Sequence, residues 1–259
     1  RGSGGDYWSS SLNPFRTSNS LSLNFFLDGI YPQDDYCRYC GFCVRPVIGQ
    51  DSTKSKQYEY VDLGLPSGLK WAKCNVGAEK ETDYGFYFQW GDIKNKSNAE
   101  CKWSTYKYCN GSLNSMNKYC TNNGYGTVDN KTTLESADDA ATQIMGDEWR
   151  MPTKADFQEL IDKTSHVWVK NFNESGVNGI KFISTTDTNK YIFIPAAGFI
   201  DSSSGNQGLL AQGVIVTVWS SSLDISDPSH AWGLYFNSGG CYMGSSNRYY
   251  GWSVRGVRN

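Results

Sequence analysis

The sequence is short of charge. Only 19% of its 259 residues are Asp, Glu, Lys or Arg, against roughly 25% in ordinary soluble domains. The two signs nearly cancel, with 24 basic and 26 acidic residues. A net charge of -2 and a pI near 5.7 exclude the basic footprint expected of a nucleic-acid or anionic-membrane binder. No apolar run approaches the ~20 residues that span a bilayer. Histidine is nearly absent, with His166 and His230 as its 2 examples, and a lone histidine is more often structural than catalytic. The serines of Trp219-Ser220-Ser221-Ser222 lack the glycines of a G-x-S-x-G nucleophile elbow. Also absent are E-P-N, Q-P-D and W-N-D, motifs that would give calcium several hard oxygens at once. Asp201, Asp224 and Asp227 remain as scattered loop acids. Calcium is therefore not favoured, and no cofactor is expected.

What abounds is aromatic. Tyr, Trp and Phe make up 15% of the chain, alongside 27 Gly. Such a chain can bury a large core, which argues against disorder. It also has 8 Cys. Cys109 and Cys120 flank a short polar loop and form the best candidate disulfide, with free buried thiols as the alternative, preferred for Cys74. Four Asn-x-Ser/Thr sequons, at Asn95, Asn110, Asn130 and Asn173, fit chance in an Asn/Ser-rich chain. Arg1 opens the chain with neither an initiator Met nor a signal peptide, so targeting information is missing rather than negative.

Self-comparison uncovers an internal repeat. Trp8-Ser9-Ser10-Ser11-Leu12 recurs as Trp219-Ser220-Ser221-Ser222-Leu223, and Leu23-Asn24-Phe25 as Leu234-Tyr235-Phe236. One residue out of step, Arg38-Tyr39-Cys40-Gly41-Phe42-Cys43-Val44-Arg45 matches Arg248-Tyr249-Tyr250-Gly251-Trp252-Ser253-Val254-Arg255. Residues 1–47 therefore read as the closing part of one domain, 48–57 as a polar linker, and 58–259 as a second, whole domain. The repeat also weakens the metal reading of Cys37-x-x-Cys40-x-x-Cys43, because Cys40 and Cys43 align with Tyr250 and Ser253.

Along 58–259, Tyr60–Leu65 and Leu69–Cys74 alternate as strands around a Pro66-Ser67-Gly68 turn. Residues 94–130 show no period and read as a long surface insertion. A helix is expected over Ser136–Met145, capped by Ser136 and stopped by Gly146. A second begins after Thr153, with Phe157, Leu160 and Ile161 on one face. Later strands are expected over Gly179–Ile183, Tyr191–Pro195, Val214–Trp219, Trp232–Phe236 and Gly251–Val257. Helices early and strands late predict an α+β arrangement.

Several motifs follow a familiar order. Trp149-Arg150-Met151-Pro152-Thr153-Lys154-Ala155-Asp156-Phe157, Pro195-Ala196-Ala197-Gly198-Phe199, Trp219-Ser220-Ser221-Ser222 and Gly251-Trp252-Ser253-Val254-Arg255 resemble the formylglycine-generating-enzyme-like branch of the C-type-lectin fold. With Tyr60-Val61-Asp62-Leu63-Gly64-Leu65-Pro66-Ser67-Gly68-Leu69-Lys70-Trp71-Ala72, the chain resembles the Fibrobacter succinogenes major paralogous domain as it occurs in gut Bacteroidota. The resemblance implies an α+β, C-type-lectin-like domain with two helices and mixed or antiparallel sheets, preceded by a partial copy of its own carboxyl-terminal strands. It also implies secretion or surface tethering, and kinship with proteins diversified by retroelements. The copper-binding cysteine pair of the enzymes is not matched, since Cys241 stands alone in the corresponding third.

Period-two alternation in Ala231–Asn237 directs Trp232, Leu234 and Phe236 to a core, leaving Gly233, Tyr235 and Asn237 on the other face. Trp252 and Val254 should likewise point inward, with Ser253 and Arg255 outward. Residues 238–250 read as a loop whose Gly, Ser, Asn and Tyr mixture suits contact. The candidate ligand-binding residues are Asp224, Tyr235, Asn237, Tyr242, Ser245, Asn247 and Tyr249. Arg248 and Arg255, repeated as Arg38 and Arg45, read as scaffold braces. The functional expectation is a non-enzymatic extracellular or cell-surface module that binds a glycan or protein on a host or neighbouring cell. A structural surface or pilus subunit, self-associating through 1–47, is the second reading. An oxidative formylglycine-generating-type enzyme is the third.

Overall fold

Antiparallel pairing dominates the chain. The computed structural model describes residues 4–26, 28–44, 57–203, 208–237 and 239–259. Strand accounts for 40% and helix for 11%, so the expected α+β, C-type-lectin-like class is replaced by a mostly-β chain of several small sheets. Every pair of named strands is antiparallel. Among the described residues, parallel contacts occur only as isolated bridges.

The chain divides into two compact units, Arg1–Ser55 and Lys56–Asn259. The first holds β1 (Gly4–Leu12), β2 (Asn19–Phe26) and β3 (Gly29–Cys37), paired in the order β1-β2-β3. The expected linker 48–57 lies outside the described residues except for Gln57, as does Arg45.

The second unit opens with β4 (Tyr60–Asp62) and β5 (Lys70–Asn75), separated by the expected turn. Gly68, at φ +74°, donates its N–H to Leu65 O at 2.9 Å. Helix α1 (Ala140–Met145) is shorter than the sequence suggested. Its cap is Asp139, whose carboxylate accepts from Thr142 N, while Ser136–Asp138 forms only a 3-10 turn. Gly146 ends it at φ +103°. Helix α2 (Lys154–Lys163) begins as expected, with a capping box between Thr153 and Asp156. Its Phe157 and Leu160 are buried, whereas Ile161 is only partly covered.

Next come β6 (Thr164–Val169), β7 (Gly179–Ser184) and β8 (Tyr191–Pro195), then β9 (Phe199–Asp201) and β10 (Gly208–Leu210). The chain closes with β11 (Val216–Leu223), β12 (His230–Asn237), β13 (Gly240–Asn247) and β14 (Arg255–Arg258). The sheets of this unit are β14-β5-β4, β6-β7-β8, β10-β9 and β11-β12-β13. Strand β13 occupies what the sequence suggested was a loop. Main-chain pairing with β12 runs along its full length, and that compensates for a composition poor in apolar residues.

Helix α2 lies across β11, β12 and β13. Between them Phe157 and Leu160 meet Val216, Val218, Leu234 and Phe236, with Trp71, Ile180, Phe182, Ile192 and Ile194 completing the cluster. Each such side chain contributes about 1.5–3 kcal/mol when fully buried. A second cluster lies around Trp90, Tyr106, Tyr119, Trp219, Tyr249 and Trp252. Trp219 and Trp252 stack at 4.1 Å and 16°. Gly233 permits this, because a Cβ there would sit 2.6 Å from the Trp252 ring.

Residues 94–130 are not a surface insertion. Cys101, Tyr106, Tyr108, Cys109, Met116, Tyr119 and Cys120 are all buried. Their spacing follows no helix or strand period because they enter the core from turns and a 3-10 segment at Trp103–Thr105.

Candidate binding site

Register decides which candidate residues share a face, because directly opposed residues of an antiparallel pair point the same way. Tyr235 pairs with Tyr242, Gly233 with Gly244 and Asn237 with Gly240. Trp232 pairs with Ser245, Leu234 with Met243, Phe236 with Cys241 and His230 with Asn247. The candidates therefore split. Tyr235, Asn237 and Tyr242 occupy one face, while Ser245 and Asn247 lie on the other, beside the core residues Leu234 and Phe236.

Tyr242 is 51% exposed and stacks on the half-buried Tyr235 at 5.2 Å and 29°. Burial raises the Tyr235 hydroxyl above its usual range, and both side chains are apolar on their ring faces and polar at their tips. Asn237 is half-buried at the same edge, and its Oδ1 accepts from Gly239 N at 2.8 Å. On β11, opposite Tyr235, Thr217 donates to Gly198 O at 2.6 Å. The next residue, Phe199, lies 5.4 Å from Tyr250. Both rings are half-buried and, like Tyr235, pack on the rim of the Trp219–Trp252 cluster. Phe199 and Tyr250 escaped the sequence reading, although Tyr250 repeats Cys40 and its change to an aromatic was a visible signal.

Three candidates are structural instead. Tyr249 is only 6% exposed and meets Trp103 edge-to-face at 4.8 Å. A turn after β13, closed by Tyr250 N donating to Asn247 O, rolls it into the core. Asp224 is also buried. Its Oδ1 accepts from Ser226 N at 3.0 Å and Ser226 Oγ at 2.6 Å. Burial would raise this carboxyl, but bonds from Ser226 and Ser245 outweigh that and leave it lowered. Ser245 is thereby committed to holding Asp224. Asn247 is half-buried beside His230.

The expected braces are real and more deeply placed than expected. Arg248 is fully buried, donating to Tyr106 Oη (2.8 Å), Tyr119 O (3.0 Å), Pro228 O (2.8 Å) and Lys118 O (3.0 Å). Arg255, predicted to point outward with Ser253, is buried with it. It donates to Asn75 Oδ1 and the carbonyls of Ala72, Lys73 and Phe193. Burial lowers its pKa to about 10. Both guanidiniums are met by neutral oxygens: Arg248 ties together the loops at Tyr106, Lys118–Tyr119 and Pro228, and Arg255 ties β5 to β8.

Groups that could carry chemistry are arranged otherwise. Asp227 Oδ2 and Ser229 Oγ both approach the same nitrogen, His230 Nδ1, at 2.9 and 3.0 Å. A serine–histidine–carboxylate relay needs them on opposite ring nitrogens. Burial pushes the thiols of Cys101 and Cys241 up to about 12 and raises Cys74 and Cys109, away from thiolate reactivity. Cys109 and Cys120 are free thiols rather than a disulfide. Their sulfurs approach Trp103 O and Asn122 O, both at 3.1 Å. A surface cavity of about 430 Å³ is lined by Tyr58, Glu59, Lys73, Cys74, Lys80 and Glu81 among others, and contains none of the seven candidates. Among the described residues, no three His, Cys, Asp or Glu gather closely enough to hold a metal, and no helix is long and apolar enough to cross a membrane.

No curated protein and no solved structure shows significant similarity to the chain. A family model does match: residues 64–255 fit the Lcl C-terminal domain. That span covers well over half of the sequence and contains every candidate residue, and the chain belongs to the Lcl C-terminal domain family.

Proposed function

We propose that this chain is a non-enzymatic binding module, secreted or displayed at a cell surface, which holds a glycan or protein ligand on the β12–β13 face through Tyr242, Tyr235 and Asn237. The observation that carries this reading is the stacked Tyr235–Tyr242 pair with its outer ring half exposed. A solvent-facing tyrosine braced by a second ring offers rigid contact area at low entropic cost. Phe199 and Tyr250 extend the aromatic rim, and buried Arg248 keeps the loops at Tyr106, Lys118–Tyr119 and Pro228 fixed. A raised set of thiols and a histidine without a relay support binding over catalysis.

The test is to probe arrays of glycans and extracellular proteins with the 1–259 chain and then with Tyr242→Ala. Truncating a central aromatic contact should weaken binding at least tenfold, about 1.4 kcal/mol, with the melting temperature unchanged. Binding that survives Tyr242→Ala and Asn237→Ala together would move the ligand off this face.

A further inference from the structure

The two units contain the same sheet. Strand β2 (Asn19–Phe26) and β12 (His230–Asn237) are related by a constant shift of 211 residues. The pairing β1-β2-β3 repeats β11-β12-β13. A register break falls between Trp8 and Leu12 in one and between Trp219 and Leu223 in the other. An isolated parallel bridge joins Tyr7 to Cys43 and, equivalently, Val218 to Ser253. Trp8 stacks on Phe42 at 4.5 Å as Trp219 stacks on Trp252 at 4.1 Å. The one-residue slip in the sequence repeat is a bulge in β3, opposite the stretch from Ser22 to Asn24. Even a brace is preserved: Arg38 Nη1 approaches Thr17 O at 3.5 Å where Arg248 Nη1 donates to Pro228 O.

The coverings differ. Leu234 and Phe236 are 0% and 5% exposed under α2 and strands β7 and β8, whereas their equivalents Leu23 and Phe25 are 38% and 39% exposed. Tyr39 and Val44 are 88% and 74% exposed, although Tyr249 and Val254 are sealed. Arg248 has three further acceptors on Tyr106, Lys118 and Tyr119. Everything that covers the second sheet on this side comes from residues 57–203, apart from Val257.

We propose that the bare face of β2 and β3 is a docking surface for a polypeptide segment built like residues 57–203. Its occupant brings an apolar helix face equivalent to Phe157 and Leu160, apolar strand residues equivalent to Ile180, Phe182, Ile192 and Ile194, and carbonyl and tyrosyl oxygens for Arg38. A generic apolar surface would cover Leu23 and Phe25 but leave the guanidinium donors unmet. The copy of that segment within this chain already carries its own closing strands, so the occupant is a further copy.

Hydrogen exchange measures the proposal directly. In the 1–259 chain the amides of Asn19–Phe26 should exchange faster than those of His230–Asn237. A chain with a further copy of residues 57–214 joined ahead of Gly4 should slow exchange over Asn19–Phe26 at least about tenfold and remain monomeric. Leu23→Asp with Phe25→Asp in that longer chain should cancel the gain while leaving the pattern over residues 216–258 intact. Unchanged exchange in the longer chain, or a gain that survives both substitutions, overturns the proposal. So does dimerisation of the 1–259 chain that the two substitutions abolish, which would make a second copy of this chain the occupant.

Discussion

Strands β1–β3 and β11–β13 share strand order, a register break and a stacked aromatic pair, yet one lies beneath a helix and two strands while the other shows its apolar side chains. The pairing pattern of a hairpin sheet is thus local, fixed by its own turns and cross-strand contacts. Burial is a separate matter, supplied by whatever segment lies on the sheet. Equivalent positions should therefore form the same bonds in both copies and respond very differently to substitution.

The largest contrast is expected at the stacked pair. Trp252→Ala should destabilise the second unit by about 3–5 kcal/mol, the range for emptying an aromatic site in a core. Phe42→Ala, at the equivalent but half-buried place, should cost no more than about 1 kcal/mol, as read by denaturant unfolding. Equal losses would mean that the first sheet is as well covered as the second. Next is the brace. Arg248→Met strands several buried oxygens and should cost about 2–4 kcal/mol, while Arg38→Met should change stability by less than about 0.5 kcal/mol.

A third contrast concerns acid. Among the described residues the first unit has no counterpart to the 106–138 segment, where Asp138 accepts from Lys118 at 2.5 Å, Tyr119 at 2.7 Å and Lys107 at 3.0 Å. Burial would raise the Asp138 carboxyl, but those bonds hold it well below the usual range. A carboxyl depressed by folding stabilises above its unfolded pKa of about 3.9 and loses that contribution as pH falls further. The second unit should therefore melt earlier below about pH 4, and Asp138→Asn should lower stability near neutrality by about 2 kcal/mol and flatten the acid dependence. A wild-type acid profile retained by the variant would show that Asp138 is not the group responsible. The smallest stability effect belongs to Tyr242→Ala, under about 0.5 kcal/mol for an exposed side chain.

Where local chemistry decides an element, the sequence announces it. Thr153 and Asp156 mark the start of α2, and the continuous apolar run of Tyr191–Pro195 marks β8. Strand β13 hid because half of Gly240–Asn247 is Gly and Ser, and its apolar alternation is confined to Cys241 and Met243. Its pairing partner, not its own residues, makes it a strand. That omission carried into the site. Read as a loop, Ser245 and Asn247 have no parity and fall together with Tyr242, although one residue's step along a strand reverses the face. Tyr235 and Tyr242 were legible as a contact pair because β12 keeps a clear period of two. The buried Tyr249 and the core role of residues 94–130 depend on turns that no sequence period announces.

Tyr31 and Tyr242 occupy the same place in the two sheets, but Tyr242 is backed by Tyr235 where the first sheet has the buried Asn24. Binding of the 1–259 chain to its best array ligand, compared between Tyr31→Ala and Tyr242→Ala, isolates that difference. The account predicts that Tyr242→Ala loses binding while Tyr31→Ala keeps it. Retention by Tyr242→Ala, or loss by Tyr31→Ala, would contradict it.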